Sequence, residues 1–542
     1  MNVFSYVNLN KYDRPDEKND SFAACLVAFL TALAVMTICS KSSFLYRFNL
    51  WDDANSYFTM GKCMFRGFVP YRDLFDQKGI LLYTIYGLAS LISPTTFLGV
   101  YIMEVIAATF ACVGILRIIQ LFLRSEVVPF FMMPFTALSI YTARCFYWGG
   151  SAEEFLFPFI IWGMYFSLRH FRNTYPDTMP YRTVLVGGIL AGCVYHIKFN
   201  SLGFFFAWMA MVFFGDIIGS GIAAIKQAII SCFVFLSGMA VTFVPGLIYF
   251  GINSAIDDWF YVYFYKNVFE YSKSMSIGER LYKIYDIMTD HFYDNKFVYL
   301  TILAGALYFT VALISSLVKE DKYRLIKRDI VLLPLKTIEY VNIAMLLVFL
   351  ILVIFIGGVS ITYYPFPING FAVFCSIGVG YVIEGVYKYF TREEFGSLTS
   401  MFGFVSVFLA LLITGVASYF ISPNVPSMKL TEDDIWLFKF RDYVLESGIE
   451  NPGILNENGF DAGLYTVTNT VPICYYYQTQ TLNMDEVLEY QKSYSRNGQA
   501  DFVLSVDVVP EAIDDYELVL QEDFVTHDMN TTYLLYQKKS SE

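Results

Sequence analysis

Two side chains with complementary chemistry lie between the first two hydrophobic segments of this sequence. Asp53 is a carboxylate that can act as a general base, and Lys78 is an ammonium that can bind a phosphate as a point charge. Each also has a structural interpretation: Asp52 or Asp53 can cap a helix, and Lys78 can extend toward lipid headgroups. Because both groups occur in one polar loop of an otherwise apolar region, we predict a lipid-linked phosphate held beside a base.

The spacing after Asp52 predicts a helix that presents Asp53 on one face. Asp53, Tyr57, Met60 and Met64 stand at positions i, i+4, i+7 and i+11, which lie on the same side of an α-helix. Asp53 would then lie at the start of the helix, beside an aromatic ring and near the membrane surface.

Membrane helices must position these residues, because the chain is too apolar for a soluble globular protein. Its 542 residues are 56% apolar and 19% aromatic, and its mean hydropathy is positive. Apolar runs near the roughly 20 residues that cross a bilayer predict about eleven transmembrane helices. These are 22–40, 97–120, 127–144, 155–168, 183–197, 199–217, 227–250, 297–318, 340–357, 366–386 and 400–421.

The Lys and Arg residues of the short loops predict the orientation of these helices. The basic loops Arg169–Arg182 and Lys319–Lys336 are separated by four predicted spans, and both should be cytoplasmic. This topology puts the N-terminal tail, residues 1–20, in the cytoplasm of a multi-pass protein of the cell membrane. It puts two long loops, 41–96 and 251–296, on the outer side.

The two outer loops carry different kinds of residue. In the first, Ile80–Ile92 is apolar but short, so we predict that it lies at the interface and does not span the membrane. The second contains Asp257-Asp258-Trp259 and then an aromatic run, Phe260–Asn267. Aromatic residues at a membrane interface commonly act as anchors, and a wall for a lipid or a sugar is the alternative.

The composition changes after the predicted transmembrane domain, residues 21–423. From Asn424 onward there are 21 Asp and Glu against 7 Lys and Arg, a charge of −14 in a chain whose total is −12. Such acidity argues against a nucleic-acid partner. The pattern predicts a soluble, extracytoplasmic α/β domain, 424–542, with helices over 431–448 and 484–494 and strands over 500–506, 516–520 and 532–536.

The first outer loop resembles the opening signature of the GT-C glycosyltransferases. The matching residues are Asp53-Ala54-Asn55-Ser56-Tyr57 and Lys78-Gly79-Ile80-Leu81-Leu82-Tyr83, in order and in the same loop. In the lipid A aminoarabinose transferases and protein O-mannosyltransferases, this loop reads Asp-Glu-x-x-Tyr and later Glu-Lys-Pro-Pro-Leu-Leu-Tyr. The resemblance implies a GT-C-like bundle of membrane helices.

Three later segments are similar to the family in the same order. Glu153 and Glu154 stand where the family often places a second acid, His196 and Lys198 end a glycine-rich segment, and Tyr363 belongs to a late outer turn. Helix capping is the alternative for the two glutamates, and a helix end is the alternative for His196 and Lys198. The resemblance implies catalytic Asp53, Glu153 and Glu154, phosphate-binding Lys78, Lys198 and His196, and wall residues Asp52, Tyr57, Tyr83 and Tyr363.

The loop departs from the family pattern where some relatives bind a metal. Gln77 replaces the Glu before the lysine, and Gly79-Ile80 replaces two prolines. We therefore assign no cofactor, and a divalent cation would need Asp76 to act in place of that Glu.

The resemblance implies transfer of a sugar from a polyprenyl-phosphate donor to a cell-envelope glycan or lipid, with inversion, in contact with membrane lipid. Asp53 would take the acceptor proton while Lys78 and Lys198 stabilise the leaving phosphate. A lipid-linked oligosaccharide polymerase or ligase is one alternative, although it should carry its key polar residues in later outer loops. A transporter or flippase is another, and it predicts charges within spans and internal repeats.

Overall fold

The computed structural model describes residues 20–143, 146, 148–175, 177–270, 276–279, 281–282, 285–286, 295–318, 370–391, 397–479, 484–511, 514–526 and 529–539. As far as residue 421 the described chain is mainly helical. The helices are α1 (Ser21–Cys39), α2 (Asp52–Met64), α3 (Ile80–Ile92), α4 (Leu98–Phe122), α5 (Val128–Tyr141), α6 (Ala152–Asn173), α7 (Tyr181–Lys198), α8 (Gly203–Ser220), α9 (Ile225–Ile252), α10 (Ile256–Trp259), a π-helix (Phe260–Glu270), α11 (Lys296–Val318), α12 (Gly370–Thr391) and α13 (Met401–Ile421).

Ten of the eleven predicted spans coincide with helices, and the other, 340–357, lies outside the described residues. Within the described part, five helical stretches could cross a membrane, judged by their length and composition alone. They are Ser21–Cys39, Leu98–Phe122, Tyr181–Ile217, Ile222–Ile252 and Met401–Ile421. The protein is therefore a polytopic α-helical membrane protein, as predicted.

Contacts between helix ends divide the bundle into two faces. At one face, the Arg117 guanidinium binds the Asp20 carboxylate at 2.8 Å. At the other, the Asn424 side-chain amide donates to the Cys39 carbonyl at 2.6 Å. The predicted topology puts the members of each pair on the same side of the membrane. Which face is cytoplasmic stays a prediction.

The first outer loop folds into two short helices, α2 and α3, which cross at glycines. A Cβ on Gly61 would lie 2.5 Å from the Gly87 nitrogen and 2.6 Å from the Tyr83 carbonyl oxygen, so this close approach requires glycine. With 13 residues, α3 is about 20 Å long at about 1.5 Å per residue, short of the roughly 30 Å hydrocarbon core. This length fits the interfacial position predicted for residues 80–92.

The described part of the second outer loop packs against the first. Lys266 of the π-helix is largely buried, and its Nζ lies 5.2 Å from the centre of the Phe75 ring. The neighbouring Asn267 side-chain amide donates to the Gln77 carbonyl at 3.0 Å. The two outer loops therefore meet beside the segment that carries Lys78.

Beyond α13 the chain forms a small α/β domain. Its sheet has the order β1 (Ile454–Glu457), β2 (Phe502–Val506), β4 (Met529–Lys538) and β3 (Tyr516–Thr526), with β1 and β2 parallel and the other pairs antiparallel. Helix α14 (Trp436–Glu446) packs on β3, the short α15 (Leu464–Val467) packs on α14 and α2, and α16 (Met484–Arg496) packs on β1. The three strands and the helix over 484–494 are confirmed.

The helix predicted over 431–448 begins later than expected. Thr431 does not cap it, because the Asp434 carboxylate accepts bonds from the Thr431 N–H (2.8 Å) and hydroxyl (2.7 Å) and forms a turn. Ile435 is then extended, and α14 starts at Trp436. Local side-chain bonding thus competes with helix formation here.

Cysteine labelling tests the predicted orientation. Glu450 in the C-terminal domain and Lys226 at the start of α9 are both exposed. In a Cys25→Ser background, a membrane-impermeant maleimide should label Glu450→Cys in intact cells and Lys226→Cys only after permeabilisation. If Lys226→Cys is labelled in intact cells and Glu450→Cys only after permeabilisation, the orientation is the reverse of the predicted one.

Candidate functional site

Helix α2 places Asp53 in its first turn, at the edge of the first outer loop. The Tyr57 hydroxyl, one turn later, donates to Asp53 Oδ2 at 2.8 Å, in agreement with the helical spacing. The Asp53 side chain is 42% exposed, whereas Tyr57 is buried. A carboxylate held in this way can accept a proton from a bound molecule without losing its orientation.

Lys78 faces Asp53 from the end of the same loop. Its Nζ lies 3.9 Å from Asp53 Oδ2 and 5.1 Å from the centre of the Tyr57 ring. The ammonium thus interacts both with a carboxylate and with an aromatic face. The structure brings together the two residues from which the sequence prediction started.

Two tyrosine hydroxyls form hydrogen bonds with the segment that carries Lys78. The Tyr83 hydroxyl accepts from the Lys78 N–H and donates to Asp76 Oδ2, both at 2.9 Å. The Tyr71 hydroxyl donates to the Lys78 carbonyl at 2.6 Å. Tyr83 is fully buried, and Tyr57 nearly so. Both tyrosines therefore support the charged groups from within, and their part in a substrate wall stays a prediction.

Gly79 brings this loop against the end of α7. Its N–H donates to the Ile197 carbonyl at 3.0 Å, and a Cβ on Gly79 would lie 2.1 Å from the His196 carbonyl oxygen. A proline has no N–H to make this bond, which gives a local reason for the departure from the family pattern. The contact places Lys78 next to the helix end that carries Lys198.

Lys198 ends α7 and reaches Glu153 at the start of α6. Their Nζ and Oε1 atoms are 2.6 Å apart, and the two side chains are 11% and 5% exposed. Burial raises the pKa of Tyr57, and the carboxylates of Asp53 and Glu153 contribute to the same shift. The Glu153–Lys198 pair therefore lies within electrostatic range of the Tyr57 hydroxyl that holds Asp53.

Glu154 has a capping role instead. Ser151 Oγ accepts from the Glu154 N–H at 3.1 Å, and Glu154 Oε2 accepts from the Ser151 N–H at 2.8 Å, which is a capping box. Its carboxyl group lies beside that of Glu104, which accepts bonds from the Ser40 hydroxyl and the Gly150 N–H. The capping alternative thus accounts for Glu154, and we place it outside the cluster around Asp53.

Sequence reasoning missed Glu104. This residue is buried in α4, a helix that is apolar throughout its first three turns apart from this one acid. A single carboxylate inside a membrane span is a signal that could have found it, because such a group almost always faces the interior of the bundle.

His196 is not part of this cluster. The His196 ring packs against Phe243 (4.5 Å between ring centres) and Trp259 (6.0 Å), toward α9 and α10. Residues two apart on a helix point about 200° apart, so His196 and Lys198 face different sides of α7. Tyr363 lies outside the described residues.

Asp76, the predicted replacement for a metal ligand, is occupied by other bonds. Its Oδ1 accepts from the Gln77 N–H at 2.8 Å, and its Oδ2 accepts from the Tyr83 hydroxyl. Burial raises the pKa of Asp76, and the Lys78 charge opposes that rise. Among the residues that the structure describes, no group of three or more His, Cys, Asp or Glu side chains is placed to hold a metal ion. The donors around Asp76 do not fit a divalent cation.

Asp52 borders the cluster at the start of α2. Its Oδ1 accepts from the Asp53 N–H at 3.0 Å. Burial, followed by the neighbouring Asp53 charge, raises the pKa of Asp52 to about 6. Asp52 is therefore a group that changes charge close to neutral pH, immediately beside the Asp53–Lys78 pair.

Known proteins are similar to this chain in structure and not in sequence. No family model matches, and no curated protein matches by sequence. ArnT from Cupriavidus metallidurans, solved bound to undecaprenyl phosphate, has a TM-score of 0.52 at 9% identity over 95% of this chain and 97% of that one.

Two structures of oligosaccharyltransferases from Archaeoglobus fulgidus also match. AglB in complex with an inhibitory peptide and a dolichol-phosphate has a TM-score of 0.44 at 10% identity, over 90% of this chain and 70% of that one. A complex with Zn and sulfate has a TM-score of 0.42 at 10% identity, over 89% and 67%. The likeness to ArnT extends over almost the whole of both chains, and it concerns the fold.

The pKa of Asp52 predicts a pH-dependent stability. Folding raises this pKa from its ordinary 3.8 to about 6, so the unfolded chain releases the proton first and the free energy of unfolding falls as the pH rises through this range. The asparagine of Asp52→Asn does not ionise, so this contribution to the pH dependence of stability is absent from the variant. The Tm of the wild type minus that of Asp52→Asn, measured in detergent from pH 4 to 7, should therefore fall with pH. A constant difference would contradict the shift.

Proposed function

We propose that this chain, a membrane protein with the GT-C fold, is a glycosyltransferase that uses a polyprenyl-phosphate sugar as its donor. The acceptor is a hydroxyl or amine of a cell-envelope glycan or lipid. The observation that carries the proposal is the Asp53–Lys78 pair, a half-exposed carboxylate with an ammonium 3.9 Å away. The undecaprenyl phosphate bound by ArnT, which has the same fold, supports a donor of this class.

Asp53 is the general base of the proposed reaction. The Tyr57 hydroxyl occupies Oδ2, which leaves Oδ1 to take the proton of the acceptor as its oxygen or nitrogen attacks the sugar. The new bond forms at the anomeric carbon on the face opposite the phosphate, and the bond from that carbon to the phosphate oxygen breaks. The transfer therefore inverts the anomeric centre.

The two lysines stabilise the phosphate that leaves. The contact of Gly79 with the end of α7 brings the backbone segments of Lys78 and Lys198 together, and we propose that one phosphate interacts with both ammonium groups. Glu153 holds Lys198 in place through the 2.6 Å ion pair, and we assign it an orienting role rather than that of a second base. The positive charge that the reaction needs comes from these side chains.

The proposed reaction takes place at the outer face of the cell membrane. Asp53, Lys78, Glu153 and Lys198 all belong to the ends of segments that the distribution of Lys and Arg assigns to the outside. With the N-terminus in the cytoplasm, the C-terminal α/β domain is extracytoplasmic and lies beside the site.

Substitution of the two paired residues separates chemistry from binding. Asp53→Asn should lower the transfer of label from radiolabelled polyprenyl-phosphate sugars to isolated cell envelopes by about 100-fold or more, while undecaprenyl phosphate still binds. Lys78→Met should weaken binding of undecaprenyl phosphate by about 10-fold or more, because a charge-assisted contact is lost.

Lys439→Met is the matched control for Lys78→Met. Lys439 forms an ion pair with Glu522 on the surface of the C-terminal domain and is 45% exposed. This substitution should change neither binding nor transfer. Transfer that survives in Asp53→Asn would remove Asp53 from the role of base.

A further inference from the structure

A second face of α2, about a quarter turn from Asp53, is bound by the C-terminal domain. Ser56 Oγ donates to Gln478 Oε1 at 2.5 Å, and Thr59 Oγ1 donates to Asp461 Oδ2 at 2.6 Å. All four residues are buried, with at most 3% of their surface exposed. The helix that carries Asp53 is therefore fixed by residues some 400 positions later in the chain.

The same part of the C-terminal domain also binds the loop before Lys78. The Phe75 N–H donates to the Tyr475 carbonyl at 3.0 Å, and the Tyr475 hydroxyl donates to the Tyr71 carbonyl at 3.0 Å. Tyr71 in turn donates to the Lys78 carbonyl. One chain of hydrogen bonds thus runs from the C-terminal domain to the backbone of Lys78.

Both sets of contacts are made by one stretch of the C-terminal domain, residues 461–478. Gln478 Oε1 accepts from both Ser56 Oγ and the Asp461 N–H (2.9 Å), and Asp461 Oδ1 accepts from the Gly463 N–H (2.9 Å). We call residues 461–478 the bracket. Loss of the Gln478 oxygen leaves the buried Asp461 N–H without this acceptor, and the Ser56 hydroxyl can then bond only to the Asp52 carbonyl of its own helix, 3.0 Å away.

We infer that the bracket sets the position of Asp53 relative to Lys78, and that Gln478 and Asp461 are positioning residues of the site. The first turn of α2 has no side-chain cap, so its position depends on lateral contacts such as those of Ser56. Asp53, the proposed base, and Lys78, the proposed phosphate ligand, belong to separate segments, and the bracket forms hydrogen bonds with each segment. The C-terminal domain is thereby part of the catalytic unit. This inference rests on the proposed function for its kinetic consequence.

Gln478→Leu tests the inference. It should lower kcat for transfer by about 10-fold while KM for the donor changes by less than about 3-fold, because displacement of the base by about 1 Å affects the reaction more than binding. Hydrogen exchange, which needs no activity, should be faster at residues 53–57.

Ser495→Ala is the matched control. Ser495 is buried, and its hydroxyl donates to Glu457 Oε2 at 2.8 Å, inside the C-terminal domain and outside residues 461–478. It should leave kcat and exchange in α2 nearly unchanged. Equal effects of the two substitutions would mean general loosening of the domain and would overturn the inference.

Ser56→Ala removes the same contact from the α2 side if Gln478→Leu does not fold. It should raise exchange at residues 53–57 and lower kcat by about 3-fold. Unchanged exchange and unchanged kcat in Ser56→Ala would overturn the bracket even if Asp53→Asn abolishes transfer. Faster exchange in a chain whose transfer does not depend on Asp53 would instead support the bracket and reject the proposed function.

Discussion

The need to pair charge at the end of an apolar bundle organises this structure. A charged group in apolar surroundings costs several kcal/mol unless a partner or hydrogen bonds compensate it. Lys78 faces Asp53, and Lys198 faces Glu153. The turns, helix ends and glycine contacts of the first outer loop are the means by which these pairs come together.

The two pairs differ in a way that suits the proposed reaction. Lys198 and Glu153 are in close contact at 2.6 Å and are nearly buried, so this lysine keeps its orientation. Lys78 and Asp53 are 3.9 Å apart, and Asp53 is half exposed. A phosphate that approaches the Lys78–Asp53 pair can form an ion pair with Lys78 while Asp53 stays hydrogen-bonded to Tyr57.

The C-terminal domain takes part in the same arrangement. Its contacts with α2 and with the loop before Lys78 are buried hydrogen bonds between segments about 400 residues apart. Such contacts form only when the membrane bundle and the sheet have both folded. The geometry of the proposed site therefore depends on the assembly of the whole chain, and not on the first outer loop alone.

Much of the fold could be predicted from the sequence because it follows from local patterns. Apolar runs of membrane length mark the spans, the helical spacing from Asp53 to Tyr57 marks α2, and short apolar and aromatic runs mark three of the four strands. The predicted start of α14 was wrong because a Thr431–Asp434 turn competes with the helix. Asp53 and Lys78 could be chosen from the sequence because they lie in one polar loop and match the family signature in order.

The sequence by itself determined the membrane architecture and the residue types of the candidate site, since hydropathy and helical period are properties of neighbouring residues. Only the tertiary structure decided how those residues divide into roles. It paired Glu153 with Lys198, gave Glu154 to a helix cap beside the unforeseen Glu104, and turned His196 toward α9. It also placed Asp461 and Gln478 against α2. Contacts between distant segments depend on which faces pack together, and that information is not local in the chain.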